Sequence, residues 1–199
     1  MEFFTTIDQP SRAEFKDRGS RFIAYAYPAG NPTDFKKLLQ ELKKEHPKAV
    51  HYCFAYRFGL EGNQFRVSDD GEPAGTAGKP ILGQLDSKGL TDVAIIIVRY
   101  FGGTLLGVPG LINAYKTAAS LVLQVVPLVQ RPVLKKFELQ FDYTQMNEIM
   151  ILLRQLNAVV ISQENMLFSQ MAVGVPVNRV EELLYKVKNF RNVEVRNLL

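Results

Sequence analysis

The sequence predicts an α+β protein in two parts, and three observations carry that prediction. Eleven of the fourteen glycines fall between Gly59 and Gly110, and Gly174 alone follows them. Stretches of period-2 alternation are interleaved with stretches of helical spacing. A proline-bearing segment, "VVPLVQRPVLKKF", shows no strong period between Pro127 and Pro132 and places a boundary near Arg131–Val133, between a glycine-rich first part, residues 1–131, and a regular second part, residues 134–199.

In the first part, "FIAYAYP" and "HYCFAYRF" read as strands. Between them Asn31-Pro32 reads as a helix cap followed by proline in the first turn. Phe35, Leu38, Leu39 and Leu42 share one helical face, and His46-Pro47 closes it. "QFRVS" is a further short strand after the turn "GLEGN". "VAIIIV" is apolar at every position, as a strand covered on both faces is. From Pro109, residues Leu111, Ile112, Tyr115, Ala118, Ala119 and Val122 outline another helix.

The second part is simpler. "VLKKFELQFDY" alternates Phe137, Leu139 and Phe141 with polar neighbours. Thr144 is the expected cap of a helix carrying Met146, Ile149, Met150 and Leu153. "AVVISQ" and "LFSQMAVGVPV" are strands. Asn178 is expected to open a helix with Val180, Leu183, Leu184 and Val187 on one stripe, and "NVEVRNLL" ends the chain as a strand. Glu181 and Glu182 in the first turn and Lys186 and Lys188 in the last suit the helix dipole. The order β-α-β-β-α-β is that of a ferredoxin-like unit.

Composition narrows the function classes. With 47% hydrophobic and 22% charged residues the chain is a folded globular protein. No apolar run nears the roughly 20 residues that span a bilayer, and "MEFFTTIDQPSR" lacks the basic start and apolar stretch of a signal peptide. One cysteine, Cys53, leaves no internal disulfide, so the cytoplasm is the expected compartment. A net charge of +4 and a pI of about 9.1 permit RNA or another polyanion as partner without requiring one.

Two segments carry the candidate chemistry. "RYFGGTLLGVPGL" leads from a buried strand into a helix through Gly102, Gly103 and Gly107, with Arg99 and Tyr100 before them and Lys116 one turn further on. Glycine lets a backbone approach a ligand, and a helix start offers free N–H donors, so the turn reads as an anion cradle or as a tight packing turn. "SDDGEPAGTAGKP" holds Asp69, Asp70 and Glu72, either as oxygen ligands for Mg²⁺ or as an acidic turn signalled by Asp70-Gly71. Lys79 faces a ligand or those acids. A P-loop is excluded because Pro73 and Pro80 occupy required positions, and no G-x-G-x-x-G follows "VAIIIV". His51 and Cys53 share a strand face as a conceivable thiol–imidazole pair, although a thiol among aromatics more commonly serves as a small apolar residue. One cysteine and two histidines are too few for zinc.

"SDDGEPAGTAGKPILGQL" and "VAIIIVRYFGGTLLGVPGLINAYKTAA", with "SRFIAY" and "HYCFAY", resemble the YigZ/IMPACT family over essentially the whole chain. The resemblance implies a first domain like the second domain of a small-subunit ribosomal protein and a ferredoxin-like second domain. Eukaryotic members act as translational regulators that bind an activator of a starvation-sensing kinase, and bacterial members have been proposed to bind nucleic acid. Where relatives commonly read "LGTGGL" and then a basic residue, this chain has Val108, Pro109 and then Asn113. The implied function is a non-enzymatic binding protein of translation, contacting RNA, the ribosome or a translation-related protein. The alternatives are an enzyme or sensor for a small phosphorylated ligand, and a protein-interaction scaffold.

Overall fold

The computed structural model describes residues 2–60, 63–165 and 169–198. The Glu61-Gly62 step of the expected turn, and Leu167 and Phe168 of the expected strand, lie outside those residues. The chain divides into two compact units, Phe4–Arg131 and a second made of Met1–Phe3 with Pro132–Leu199.

The first unit is built on a five-stranded antiparallel sheet. Its strands are β2 (Ser11–Asp17), β3 (Ser20–Pro28), β4 (His51–Phe58), β5 (Gln64–Ser68) and β6 (Val93–Tyr100), in the order β2-β3-β6-β4-β5. β6 is central, and its unbroken apolar run reflects cover on both faces. Val93, Ile95 and Ile97 join Phe22, Ala24, Cys53 and Ala55 beneath α2 (Gly78–Ser87) and α3 (Gly107–Gln124). Ala94, Ile96 and Val98 pack with Tyr25, Phe54 and Tyr56 against Phe35 and Leu42 of α1 (Pro32–Glu45). The run of aliphatics therefore signals two-sided burial within an antiparallel sheet, not parallel pairing. Asn31 caps α1 by accepting from the backbone N–H groups of Thr33 and Asp34, with Pro32 in the first turn.

Four elements depart from expectation. β1 (Phe3–Ile7) pairs with β7 (Leu128–Pro132), so the segment read as a linker is largely a strand. β2 is an edge strand whose Arg12, Glu14 and Lys16 alternate with Ala13 and Phe15. The last three residues of the segment expected to be an acidic loop, Gly78, Lys79 and Pro80, belong to α2. Pro80 is tolerated there because first-turn N–H groups have no helical acceptor.

In the second unit β8 (Leu134–Phe141), β9 (Val159–Asn165), β10 (Ser169–Pro176) and β11 (Glu194–Asn197) form an antiparallel sheet in the order β11-β8-β10-β9. α4 (Met146–Gln155) connects β8 to β9, and α5 (Val180–Val187) connects β10 to β11. Phe137, Leu139 and Phe141 are buried with Met171, Val173 and Val175 against Ile149, Leu152, Leu153, Leu183 and Val187. Leu184 is exposed rather than part of the stripe. The cap before α4 is Asp142, not Thr144: its carboxylate accepts from the Thr144 N–H and hydroxyl and nucleates a 3-10 turn. Asn178 lies in a second 3-10 turn, and α5 starts after it at Val180.

Candidate functional site

The two motif segments meet in the first unit, at the end of β6. Strand alternation turns Arg99 toward α2 and α3, in line with Ile95 and Ile97. The loop after β5 delivers Glu72 to the same place. Glu72 Oε1 accepts from Arg99 Nη1 at 2.5 Å and from the Tyr115 hydroxyl of α3 at 2.7 Å. The Arg99 and Glu72 side chains are only 6% and 4% exposed, so this is a buried ion pair. Arg99 Nη2 reaches Ser20 Oγ at 3.4 Å, and Ser20 Oγ in turn accepts from the Gly102 N–H at 3.2 Å. The guanidinium lies 5.3 Å from the centre of the Phe22 ring. Arg99 Nε has no partner among the described residues.

Gly102 is held by a contact that admits no side chain. A Cβ there would stand 1.9 Å from the carbonyl carbon of Gly19, in the tight turn between β2 and β3. Gly103 is different: its φ of +86° needs glycine, but the space around it is open. Gly107, φ +71°, begins α3, and Leu106 before it provides no side-chain cap.

The three acids diverge. Asp69 turns inward and accepts from the backbone N–H groups of Gly75, Ala77 and Gly78 at 2.8–2.9 Å, capping α2 from outside the helix. Burial alone would raise its pKa, but the Gly75, Gly78 and Ala77 amides outweigh that and hold it below the usual carboxylate range, with Lys79 assisting. Asp70, at φ +43°, takes the Tyr52 N–H on its carboxylate. Its carbonyl receives His51 Nδ1 at 2.7 Å, and since a carbonyl only accepts, the imidazole proton sits on Nδ1. Glu72 is consumed by Arg99 and Tyr115. Among the described residues no group of three His, Cys, Asp or Glu is placed to share a metal ion. Each carboxylate of the trio is turned to a different protein partner, as the turn reading of the segment expects.

The thiol–imidazole pair is likewise occupied. Cys53 Sγ lies 3.0 Å from the Asp69 carbonyl and 3.3 Å from the Tyr115 hydroxyl. Burial pushes the Cys53 thiol and the Tyr115 phenol up, so both are neutral donors at pH 7. His51 Nε2 faces Glu72 Oε1 at 3.9 Å, not the sulfur.

The remaining predicted residues separate by face. Tyr100 follows Arg99 directly and so points to the α1 side, where its hydroxyl meets His46 Nδ1 at 2.9 Å. Lys79 is exposed on the first turn of α2, its stem beside Gly75, and Lys116 is exposed on α3. Ser20, Tyr115 and Arg18 were not singled out as site residues from the sequence. Tyr115 sits at a core position of its helix, and only its hydroxyl, invisible to apolar periodicity, gives it a second role. Glu72, Arg99, Tyr115 and the Cys53 thiol are thus hydrogen-bonded to one another, and His51, with its proton on Nδ1, keeps Nε2 on the edge of the cluster. In the second unit a groove of about 410 Å³ lies between α4 and α5, lined by Ile151, Leu152 and Phe190.

A family model described as the Impact N-terminal domain matches residues 18–123. The IMPACT family member YigZ of Escherichia coli (strain K12) is 35% identical over 173 residues, covering 86% of this chain and 85% of the relative. The IMPACT family member YvyE of Bacillus subtilis (strain 168) is 34% identical over 149 residues, 75% and 69% of the two chains. A solved structure titled "Crystal structure of an hypothetical protein" superposes with a TM-score of 0.81 at 32% identity, covering 100% of this chain and 98% of that one. Matches of this extent, through the motifs that build the Arg99–Glu72 network, make the chain a YigZ-type member of the IMPACT family.

Proposed function

We propose that this protein is a non-enzymatic binding and regulatory factor of translation, acting in the cytoplasm. It contacts RNA, the ribosome or a translation-related protein through the glycine-rich edge of its first domain. The observation that carries this reading is that most of the polar groups of the two motifs are engaged within the protein. Glu72, Arg99, Tyr115, Asp69 and the Cys53 thiol all point inward, while the surface outside them carries Lys79, Lys116 and the 101–106 turn. A buried ion-pair network that presents a shaped exposed edge suits recognition better than turnover.

The family resemblance supports the translational context. The strand order β11-β8-β10-β9, with β10 between the parallel-running β8 and β9, supports a ferredoxin-like fold for residues 134–199. The sheet and helices of residues 1–131 support the ribosomal-protein-like reading of the first domain. Sedimentation of purified protein with ribosomes through sucrose, at about 50 and about 200 mM salt, tests the reading. Co-migration that weakens with salt is expected. Protein that stays at the top of the gradient in low salt, with a thermal shift on a phosphorylated metabolite, would replace it with the ligand-sensor alternative.

A further inference from the structure

α3 leaves one flank unpartnered. Leu105, Val108 and Ile112 are 82%, 51% and 38% exposed, and Lys116 continues the same line at the i+4 spacing that joins Val108 to Ile112. The adjacent flank, Leu111, Ala114, Tyr115 and Ala118, is buried in the core. Exposed aliphatic side chains set in a row along the first turns of a helix and the turn before it mark an interaction face.

The charges on the turn and on α3 have one sign. No Asp or Glu occurs between Asp92 and Glu138, so neither the turn nor α3 carries a carboxylate. Lys116 has no acid within ion-pair distance among the described residues. At the other end of the row, Arg18 lies against the first turn of α3, with Nη2 donating to the Leu106 carbonyl at 3.2 Å. The Asp17 carboxylate reaches only its Nε, at 3.6 Å. The uncapped amino end of α3 adds a positive dipole pole.

From these we propose that Leu105, Val108 and Ile112, with Arg18 and Lys116 at the two ends, form a docking face for an acidic segment of a partner protein. The segment brings apolar anchors and carboxylates together. This rests on the reading of the first unit as a binding module and names the chemistry of its partner. Other occupants fit less well. Bases stack on aromatic or guanidinium planes, and this row is aliphatic. A membrane surface takes a helix with one whole face free, whereas the broad apolar face of α3 is already in the core. A second copy related by a two-fold axis would set this cationic face against itself.

The test is a selection of displayed random 16-residue peptides on the full-length protein. Winners are then synthesised and measured by fluorescence anisotropy against four variants: Leu105→Ser/Val108→Ser, Lys116→Glu, Arg18→Glu and, as a control, Lys37→Glu on α1. Peptides enriched in Asp or Glu beside Leu, Ile or Phe are expected. Their affinity should fall at least tenfold in the double variant and roughly three- to tenfold in each end-charge variant, and stay unchanged in Lys37→Glu. Thermal midpoints of all variants check that the fold is kept. Basic consensus peptides, or no enrichment over the double variant, would overturn the proposal. So would loss, in that double variant, of binding to poly(U), to phosphatidylglycerol vesicles, or of a dimer seen by sedimentation equilibrium. Ribosome co-sedimentation that survives Leu105→Ser/Val108→Ser with no peptide selected would sink this docking face and leave the translational reading standing.

Discussion

Glu72 holds the first unit together by neutralising a charge that cannot reach water. Arg99 is always protonated, and its guanidinium is boxed by Phe22, Ser20 and the Glu72 carboxylate. Glu72→Gln leaves that cation uncompensated and should cost about 3–5 kcal/mol in urea unfolding. Tyr115→Phe keeps the ring against Phe22 and removes one hydrogen bond to a charged group, so about 1.5–3 kcal/mol is expected. A larger loss for Tyr115→Phe than for Glu72→Gln would contradict the central role of the ion pair. The two neighbouring glycines differ for an equally local reason. Gly102→Ala drives a methyl group into the Gly19 backbone, which cannot rotate away, and should cost about 3 kcal/mol, the upper end of overpacking. Gly103→Ala meets only the left-handed backbone penalty, about 1–2 kcal/mol. Paired melts of the two variants read this difference directly.

At the scale of elements, α2 shows how a helix can be capped by a residue far outside its own sequence window. Asp69 lies nine residues before Gly78 and still accepts its N–H. That is why "AGKPILGQLDS" carries no Ser, Thr, Asp or Asn at the expected place, and why its helical identity is hard to read. Asp69→Ala should cost about 2 kcal/mol, at the upper end for a cap. The folded pKa of Asp69 is depressed, so its stabilisation is complete above the unfolded carboxylate range and is lost as pH falls through the folded value. The gap in stability between wild type and Asp69→Ala should therefore be constant near neutrality and shrink below about pH 4. A gap that widens with acid would refute this role. β6 teaches a related lesson: consecutive residues of a strand point apart, so Arg99 and Tyr100 cannot serve one site, however adjacent they look on paper.

For the whole molecule, ribosome or RNA binding through Lys79 and Lys116 predicts a definite salt response. Two phosphate contacts would give a log–log slope of about −1.5 to −2, and Lys79→Glu should make it shallower. A slope near zero in a titration from low to moderate salt would show that phosphate contributes nothing. Much of the architecture was legible without coordinates. Alternation in "FELQF", helical spacing in "EELLYKV" and the Asn31-Pro32 start of α1 are local signals, and local backbone preference with apolar periodicity determines such elements on its own. The sequence also located the two motif segments and, by their wording, the family. What the tertiary structure alone decided is which way each polar group turned. Asp69, Asp70 and Glu72 read as one acidic cluster, yet a helix end, a strand end and a buried arginine draw them apart. Those partners come from segments distant in the chain, and only the sheet brings them within hydrogen-bonding reach.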